Sequence, residues 1–289
     1  MGRVFCGSAP MGKDDLMRDE HNEMQIKSQL VLEAAGCEVQ VYGVLDSTNT
    51  LGKKLAAAGA AHGTVILADH QTKGRGRLGR SFHSPAQTGL YMSLILKPED
   101  LLIQDPMLLT PFAGVAVCEA IMSLTGKKPQ IKWVNDVFLE GLKVCGILAE
   151  AVLSDDNQLL ALVLGIGVNL FQAEAGLPVE IQGIAGSLFS RDEEGVNRND
   201  LAAAIINYLV NKKGALSNEE LRSRYKTHSL ILGREVVAVQ GTEEFTAIAA
   251  DIDLLGRLVL IKEDGQQLSL SSGEVRIRPK PLIPEKIPG

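Results

Sequence analysis

A run of alternating glycines and cations, residues 73–80, most constrains how this 289-residue chain can fold. Its four cations are Lys73, Arg75, Arg77 and Arg80. No acid lies between Asp69 and Glu99 to neutralise them, although the whole chain carries a net charge of −6. Glycine lets the backbone approach a ligand closely, and each guanidinium offers a planar fork of donors to phosphate or carboxylate oxygens. The pattern therefore predicts a mobile cationic loop that binds a small anion.

Residues 74–79 also match G-x-G-x-x-G, the phosphate-binding turn of dinucleotide-binding folds. That turn needs a strand, then a helix that begins at the glycines, then an acid about 20 residues further on. Residues 64–68 resemble a strand, but turn-like residues 81–85 and an apolar run over residues 90–96 follow the glycines. Since no helical period begins at Gly79, we favour a ligand-gated anion loop over a solvated basic loop, and both over a dinucleotide turn.

Composition narrows the class of protein. The hydrophobic share of 45% and charged share of 22% are typical of a globular chain, and the length suggests about two domains. A pI near 5.5 argues against broad nucleic-acid binding. The four cysteines lie far apart, at Cys6, Cys37, Cys118 and Cys145, which indicates reduced thiols in a cytoplasmic protein. We expect neither a signal peptide in residues 1–23 nor an apolar run of the roughly 18 residues that a membrane span needs.

Apolar periods and capping residues predict alternating helices and strands as far as residue 228. The predicted helices cover residues 24–35, 51–56, 106–124 and 199–211, with another beginning at the capping-box residues 217–220. The predicted strands cover residues 39–45, 64–68, 90–96, 130–133, 143–152 and 159–168. Asp105 and Asn199 are the expected N-caps of the third and fourth helices. Apolar residues occupy nearly all faces of the third helix, so we expect it to be buried.

From residue 229 the pattern changes to short alternating strands separated by glycines. These strands are predicted at residues 235–239, 246–251, 257–261 and 267–270. Such a pattern is typical of a small β-barrel or sandwich. The sequence thus predicts three parts: a tail or accessory segment over residues 1–23, a main domain over residues 24–228, and a small β-domain over residues 229–289.

Two further segments carry chemistry. Residues 132–136, Lys-Trp-Val-Asn-Asp, place a cation at the end of a predicted strand, where Lys132 suits neutralisation of a reacting phosphate. For this segment alone, a solvated strand end is the commoner outcome. In residues 165–169, Gly-Ile-Gly-Val-Asn, the glycines indicate close approach of a ligand or, equally, of packed backbone. The amide of Asn169 can pair with the edge of an adenine.

Together these segments resemble the biotin protein ligases in content, order and spacing, over roughly residues 39–280. The matching segments are Ser47-Thr48-Asn49, Gln71 with residues 74–80, and residues 132–136, 143–148 and 165–169. The resemblance implies an α+β fold: a mixed β-sheet flanked by helices, like a class II synthetase, with a small C-terminal β-barrel. It also implies that biotin and ATP are joined into biotinyl-5′-adenylate with release of pyrophosphate. Biotin would then pass to one lysine of a biotin carboxyl carrier protein.

The resemblance assigns roles residue by residue. Biotin contacts are expected from Ser47, Thr48, Asn49, Gln71, Arg75, Gly76, Arg77, Lys132 and Gly146. ATP or adenylate contacts are expected from Arg75, Arg77, Arg80, Lys132, Asn135, Asn169 and Arg278. Lys132 and Arg77 are the expected catalytic residues, with Lys132 bridging the biotin carboxylate and the ATP α-phosphate. Mg²⁺ is expected to be held mainly by the phosphates, with no ligand assigned in the chain.

Two positions depart from the family pattern, and two other functions stay open. Phe82 stands where bacterial enzymes often have tryptophan, and Val134 replaces a proline. The alternatives are a lipoate or octanoate ligase of the same fold, with a different glycine-rich segment, and a biotin-responsive repressor. Only 45 residues precede Asp46, too few for a whole winged DNA-binding domain. We therefore expect biotin, ATP and the carrier as partners, without specific DNA or a membrane, and leave a homodimer open.

Overall fold

The computed structural model describes residues 20–103, 105–173, 176–190, 193–211 and 216–277. A seven-stranded sheet forms its larger part. The strands are β1 (Val39–Leu45), β2 (Thr64–Gln71), β3 (Gly89–Leu96), β4 (Gln130–Lys132), β5 (Asp136–Leu139), β6 (Leu142–Leu153) and β7 (Leu159–Asn169). Their spatial order is β1-β2-β3-β7-β6-β5-β4; β1 and β2 are parallel, and the other neighbouring pairs are antiparallel. The predicted mixed sheet is confirmed, and β5 is an unpredicted short strand.

Helices cover both faces of this sheet. They are α1 (Glu23–Ser28), α2 (Thr48–Ala57), α3 (Leu109–Thr125), α4 (Arg198–Val210) and α5 (Asn218–His228). Helix α2 covers a small apolar cluster that includes Ile66 and Val163. The neighbouring residues Val65 and Leu164 belong to the larger core, because successive strand residues point to opposite faces. The predicted arrangement of helices flanking a sheet is therefore confirmed.

Helix α3 is the buried helix that the sequence predicted. A 3-10 turn, Pro106–Leu108, precedes it, and the Asp105 carboxylate accepts a hydrogen bond from the Met107 N–H at 2.8 Å. By length and composition alone, the segment Pro106–Thr125 could cross a bilayer, contrary to the expectation that no segment reaches that length. It packs instead against α4, α5 and β6 in the core, which accounts for its apolar surface.

The segment before β1 differs from its prediction. The predicted helix over residues 24–35 ends at Ser28, and a 3-10 turn, Leu32–Ala34, follows. Asn197, not Asn199, caps α4, since its side chain accepts from the Asn199 N–H at 2.7 Å. The Asn199 side chain is used elsewhere: its Oδ1 accepts from the Asn22 N–H at 3.0 Å. A residue tethering the N-terminal segment to α4 was thus mistaken for a cap.

The C-terminal part is a five-stranded antiparallel sheet, as the predicted small β-domain requires. Its strands are β8 (Glu235–Gln240), β9 (Glu243–Ile252), β10 (Leu258–Lys262), β11 (Gln267–Leu270) and β12 (Glu274–Ile277), in the order β11-β10-β9-β8-β12. The predicted capping box is present at Ser217, before α5. The Trp133 indole N–H donates to the Gly256 carbonyl at 3.0 Å, which joins the turn between β9 and β10 to the end of β4.

Candidate active site

The predicted cationic loop is a hairpin-like excursion between β2 and β3. Its arms meet where the Gly76 N–H donates to the Arg80 carbonyl at 2.7 Å and the Phe82 N–H donates to the Gly74 carbonyl at 2.9 Å. One 3-10 turn, Arg77–Gly79, forms its tip. Within this described loop no α-helix begins, so the fold lacks the helix N-terminus that a dinucleotide turn would need.

Each arginine of the loop has a partner on a different part of the fold. The pairs are Arg75 with Glu150 on β6 (3.0 Å), Arg77 with the Asn135 amide oxygen (2.9 Å), and Arg80 with Glu274 on β12. The loop is therefore tied to the large sheet at two points and to the small sheet at a third. These ties hold the guanidinium groups over one region of the large sheet.

The loop covers a cavity of about 160 Å³, called the arginine cavity below. Its charged lining residues are Arg75, Arg77, Arg80, Lys132, Lys143, Arg276, Asp136 and Glu274. Six cations and two acids thus line one space, and that excess of positive charge attracts an anionic ligand. The predicted residues Gly76, Asn135 and Gly146 line the same cavity.

Strand register explains why Lys132 and Gly146 lie in one place. Lys132 on β4 pairs with Asp136 on β5, which pairs with Gly146 on β6, which pairs with Gly167 on β7. Burial lowers the pKa of the Lys132 ammonium below its ordinary value, and the Asp136 carboxylate opposes that shift. The Lys143 ammonium lies 2.7 Å from the Asp136 carboxylate. Two lysines, on the strands to either side of β5, therefore flank one acid at the cavity wall.

A second, smaller cavity of about 20 Å³ adjoins the first and is called the glycine cavity. Its lining residues are Ser47, Thr48, Asn49, Gln71, Arg75, Phe82, Met92, Gly146, Leu148, Gly165, Ile166 and Gly167. The ring of Phe82 lies against Gly146 and Gly167, where a β-carbon on Gly167 would overlap it. A space of this size holds about one water molecule, so a ring-sized ligand requires the loop side chains to move.

A polar network forms the floor of the glycine cavity. The Thr48 N–H and hydroxyl both donate to the Gln71 side-chain oxygen, at 2.9 and 3.2 Å. The Gln71 amide donates to the Ser84 hydroxyl at 2.9 Å, and the buried Ser93 hydroxyl lies 2.6 Å from the Asn49 side-chain oxygen. Ser47, the N-cap residue of α2, is also buried, but its side chain makes no capping bond to the helix.

The structure sets Asn169 apart from the two cavities beneath the loop. Asn169 lines a third cavity of about 570 Å³ with His83 and Phe171, and its amide donates to the Gly186 carbonyl at 2.9 Å. A volume of this size is ordinary for a small-molecule site. The predicted nucleotide contact Arg278 lies outside the described residues.

Several residues that line these cavities, or that bond to residues lining them, were not predicted. They are Lys143, Asp136, Glu150, Ser93, Glu274 and Arg276. Lys143 was within reach of sequence reasoning, because it begins one of the matching segments. Ser93 and Glu150 occupy ordinary strand positions, so only the alignment of β3 and β6 with α2 reveals them.

Comparisons with known proteins identify the family of the chain. A model of the biotin/lipoate A/B protein ligase family matches residues 41–169, and a model of the biotin protein ligase C-terminal domain matches residues 231–278. The biotin–[acetyl-CoA-carboxylase] ligase of Mycobacterium tuberculosis is 32% identical over 269 residues, which cover 90% of this chain and 97% of that protein. The biotin protein ligase of Aquifex aeolicus, solved in complex with biotin and ATP, superposes with a TM-score of 0.70 at 29% identity. That superposition covers 84% of this chain and 99% of the other.

Another relative is a longer protein. The bifunctional ligase/repressor BirA of Bacillus subtilis is 35% identical over 207 residues, and the match covers 72% of this chain and 60% of that protein. The chain belongs to the biotin/lipoate A/B protein ligase family. Within that family it falls among the biotin protein ligases, since both its main part and its C-terminal part match them.

Proposed function

We propose that this protein is an ATP-dependent biotin protein ligase, a biotin–[acetyl-CoA-carboxylase] ligase in the cytoplasm. It joins biotin and ATP into biotinyl-5′-AMP, releases pyrophosphate, and transfers biotin to one lysine of a biotin carboxyl carrier protein. One observation carries the proposal: a polar, glycine-lined cavity adjoins a cationic cavity, and the same arginine loop covers both. Such a pair of cavities suits a ligand with a neutral ring at one end and a carboxylate that meets a triphosphate at the other.

The lining of the two cavities supports the roles that we propose for most of these residues. Ser47, Thr48, Asn49, Gln71 and Gly146 serve the biotin ring, and Arg75, Gly76, Arg77 and Lys132 serve its carboxyl end. The adenylate is held by Arg75, Arg77, Arg80, Lys132, Asn135, Asn169 and Arg278. Asn169 serves the adenine, and its place at the large third cavity supports that assignment. The domain division at residues 23/24 and 228/229 belongs to the same proposal.

The first step brings two anions together. A biotin carboxylate oxygen attacks the ATP α-phosphorus, an O–P bond forms, and the bond to the β-phosphate oxygen breaks as pyrophosphate leaves. Lys132 and Arg77 offset the repulsion between carboxylate and phosphates and stabilise the charge that develops in the transition state. Fixed positioning of the two reactants is worth roughly 7–11 kcal/mol in favourable cases.

Magnesium belongs to the nucleotide substrate in this proposal. Among the described residues no group of three or more His, Cys, Asp and Glu side chains could hold a metal ion. We infer that the ion enters with ATP and is held mainly by phosphate oxygens, as Mg²⁺ commonly is in such sites.

The second step needs a protected intermediate. The mixed anhydride reacts with water, so the closed arginine loop keeps it covered until the carrier lysine arrives. The attacking amine belongs to the carrier, and no residue of this chain is assigned as its base.

Biotin-dependent exchange of labelled pyrophosphate into ATP, without carrier, tests the proposal. Exchange with biotin, and none with lipoate or octanoate, is the expected result. Exchange with lipoate or octanoate alone would assign the chain to the other branch of the family, and no exchange with any acid would overturn adenylation itself.

A further inference from the structure

Glu150 on β6 is the meeting point of three donors from two elements. Its carboxylate accepts from the Asn49 amide at 3.0 Å, from the Lys53 ammonium at 3.1 Å and from the Arg75 guanidinium at 3.0 Å. Asn49 and Lys53 lie one turn apart on α2, whereas Arg75 lies on the arginine loop. The carboxylate is largely buried, with 15% of its side chain exposed. The donors hold its pKa below the ordinary glutamate value, although burial alone would raise it.

These bonds determine which way the Asn49 amide faces. The carboxylate of Glu150 and the Leu148 carbonyl can only accept hydrogen bonds, so the Asn49 group facing them must be its NH₂. The Asn49 oxygen then faces the Ser93 hydroxyl, at 2.6 Å. A β-carbon on Gly165 would overlap that oxygen, so the Asn49 amide packs directly on the strand beneath it. The amide of Asn49 is therefore committed to the protein.

The chain of bonds continues beyond Asn49 to the other arm of the loop. Ser93 also contacts the Thr48 hydroxyl at 2.7 Å, Thr48 donates to Gln71, and Gln71 donates to Ser84. Glu150 thus ties the first arginine of the loop to the network that reaches the loop's second arm beneath the glycine cavity.

We propose that Glu150 is a positioning residue for the glycine cavity: it fixes the Asn49 amide and holds Arg75 over the cavity before a ligand binds. The identification of the ligand as biotin rests on the proposed function, whereas the geometry of the network does not. In this arrangement Asn49 serves the biotin ring indirectly and not by the expected direct contact: it keeps Thr48 and Gln71 in place, and those two residues contact the ligand.

Glu150→Gln and Glu150→Leu test this role. Glutamine keeps an acceptor for Asn49 but loses the charge that holds Arg75, and leucine loses both. We expect the KM for biotin in pyrophosphate exchange to rise about tenfold for Glu150→Gln, equivalent to about 1.4 kcal/mol, and further for Glu150→Leu. The KM for ATP should rise less than the KM for biotin, because Glu150 reaches the arginine cavity only through Arg75. We expect kcat to stay within about twofold of the wild-type value, because Arg77 keeps its own partner, Asn135, and the carboxylate does not contact Lys132.

Lys53→Met is the matched control, because it removes a Glu150 partner that lines none of the three cavities. We expect its biotin KM to stay near the wild-type value. Thermal unfolding checks the fold of each variant, and Glu150→Gln alone suffices if Glu150→Leu does not fold. An unchanged biotin KM in Glu150→Gln, or equal changes in both KM values and kcat, would overturn the positioning role. Absence of exchange in the wild type would refute the proposed function instead.

Discussion

At the scale of single residues, the site depends on cations that strand register and one loop bring together. Lys132 was predicted from its place at the end of a strand, and it lies beside Lys143 and Asp136 at the wall of the arginine cavity. Its role in the reaction stays a prediction. Burial lowers the pKa of Lys132, and a charge held in a partly buried site stabilises a developing negative charge more strongly than one in bulk water.

Lys132→Ala should abolish most of the pyrophosphate exchange without unfolding the protein. Removal of one preorganised charge at a reacting centre typically costs on the order of 10²–10³ in rate. Exchange kinetics together with circular dichroism measure the two properties, and Lys128→Ala, at an exposed position near β4, is the control. Near-normal exchange in folded Lys132→Ala would show that this lysine is only a solvated strand end.

Arg77→Gly should change the fate of the adenylate as well as its rate of formation. The guanidinium of Arg77 is held over the arginine cavity by Asn135. Loss of this guanidinium removes its proposed charge-assisted contact with the adenylate, worth roughly 1.5–3 kcal/mol. An added glycine also raises the entropy cost of ordering the loop. We expect faster release of adenylate, which then acylates lysines of bystander proteins.

The measurement for Arg77→Gly is a biotin blot of serum albumin incubated with enzyme, ATP and biotin, beside the wild type. Stronger albumin labelling is expected. If labelling does not rise while adenylate still forms, retention of the intermediate belongs to Arg75 or Arg80.

At the scale of elements, the arginine loop packs against glycines of β6 and β7. The Phe82 ring lies where side chains on Gly146 and Gly167 would otherwise lie. From the sequence, the strand glycines indicated close approach either of a ligand or of packed backbone. The structure shows a third reason for them: they leave room for an aromatic ring. Phe82, which stands where bacterial enzymes often have tryptophan, is therefore the residue that packs the loop against the sheet.

Gly167→Ala should push the Phe82 ring out of this position. Overpacking usually costs about 1–3 kcal/mol, and because Phe82 is half-buried we expect a loss near the lower end. Urea unfolding gives the free energy, and Phe82→Leu added to Gly167→Ala should recover part of it. Gly43→Ala on β1, which meets no atom within 4 Å, is the control. Additive effects of the two substitutions would show that the ring and the glycine do not interact.

The N-terminal segment gives a pH dependence at the same scale. Burial, with the neighbouring Arg198, lowers the pKa of His21 to about 3 from 6.5. Below about pH 6.5 the unfolded chain binds a proton on His21, whereas the folded chain does not bind it until the pH approaches 3. The neutral His21 therefore contributes stability above about pH 6.5, and this contribution is lost as the pH falls toward 3. We expect the urea midpoint to fall less steeply between about pH 7 and 4 in His21→Leu than in the wild type. Identical slopes would contradict the burial of a neutral imidazole.

At the scale of the whole molecule, the net negative charge disfavours binding to DNA. A net charge of −6 opposes association with a polyanion, and the six cations that line the arginine cavity lie on the arginine loop and beneath it. We expect no sequence-selective complex with the promoter of the organism's own biotin genes at physiological salt, with biotin and ATP present. Fluorescence anisotropy measures this, and a selective, sub-micromolar complex would support the repressor alternative.

The sequence by itself determined most of the helices and strands, and the family. Strong periods and capping signals located β1, α3 and the capping box at Ser217, because such signals are local. The glycine-arginine run and the lysine segment were identified for the same reason, since their spacing is short. The four-residue strand β5 and the use of Asn199 as a tether were missed, because neither produces a period or a local motif.

Only the tertiary structure decided how these pieces meet. Register across β4, β5, β6 and β7 sets Lys132 and Gly146 in one row, and the packing of α2 on β6 brings Asn49 to Glu150. Cross-strand neighbours are fixed by hydrogen bonding between segments distant in sequence, which no local pattern encodes. For that reason the chain's own sequence predicted which residue types the site uses, whereas their partners became visible only in the folded sheet.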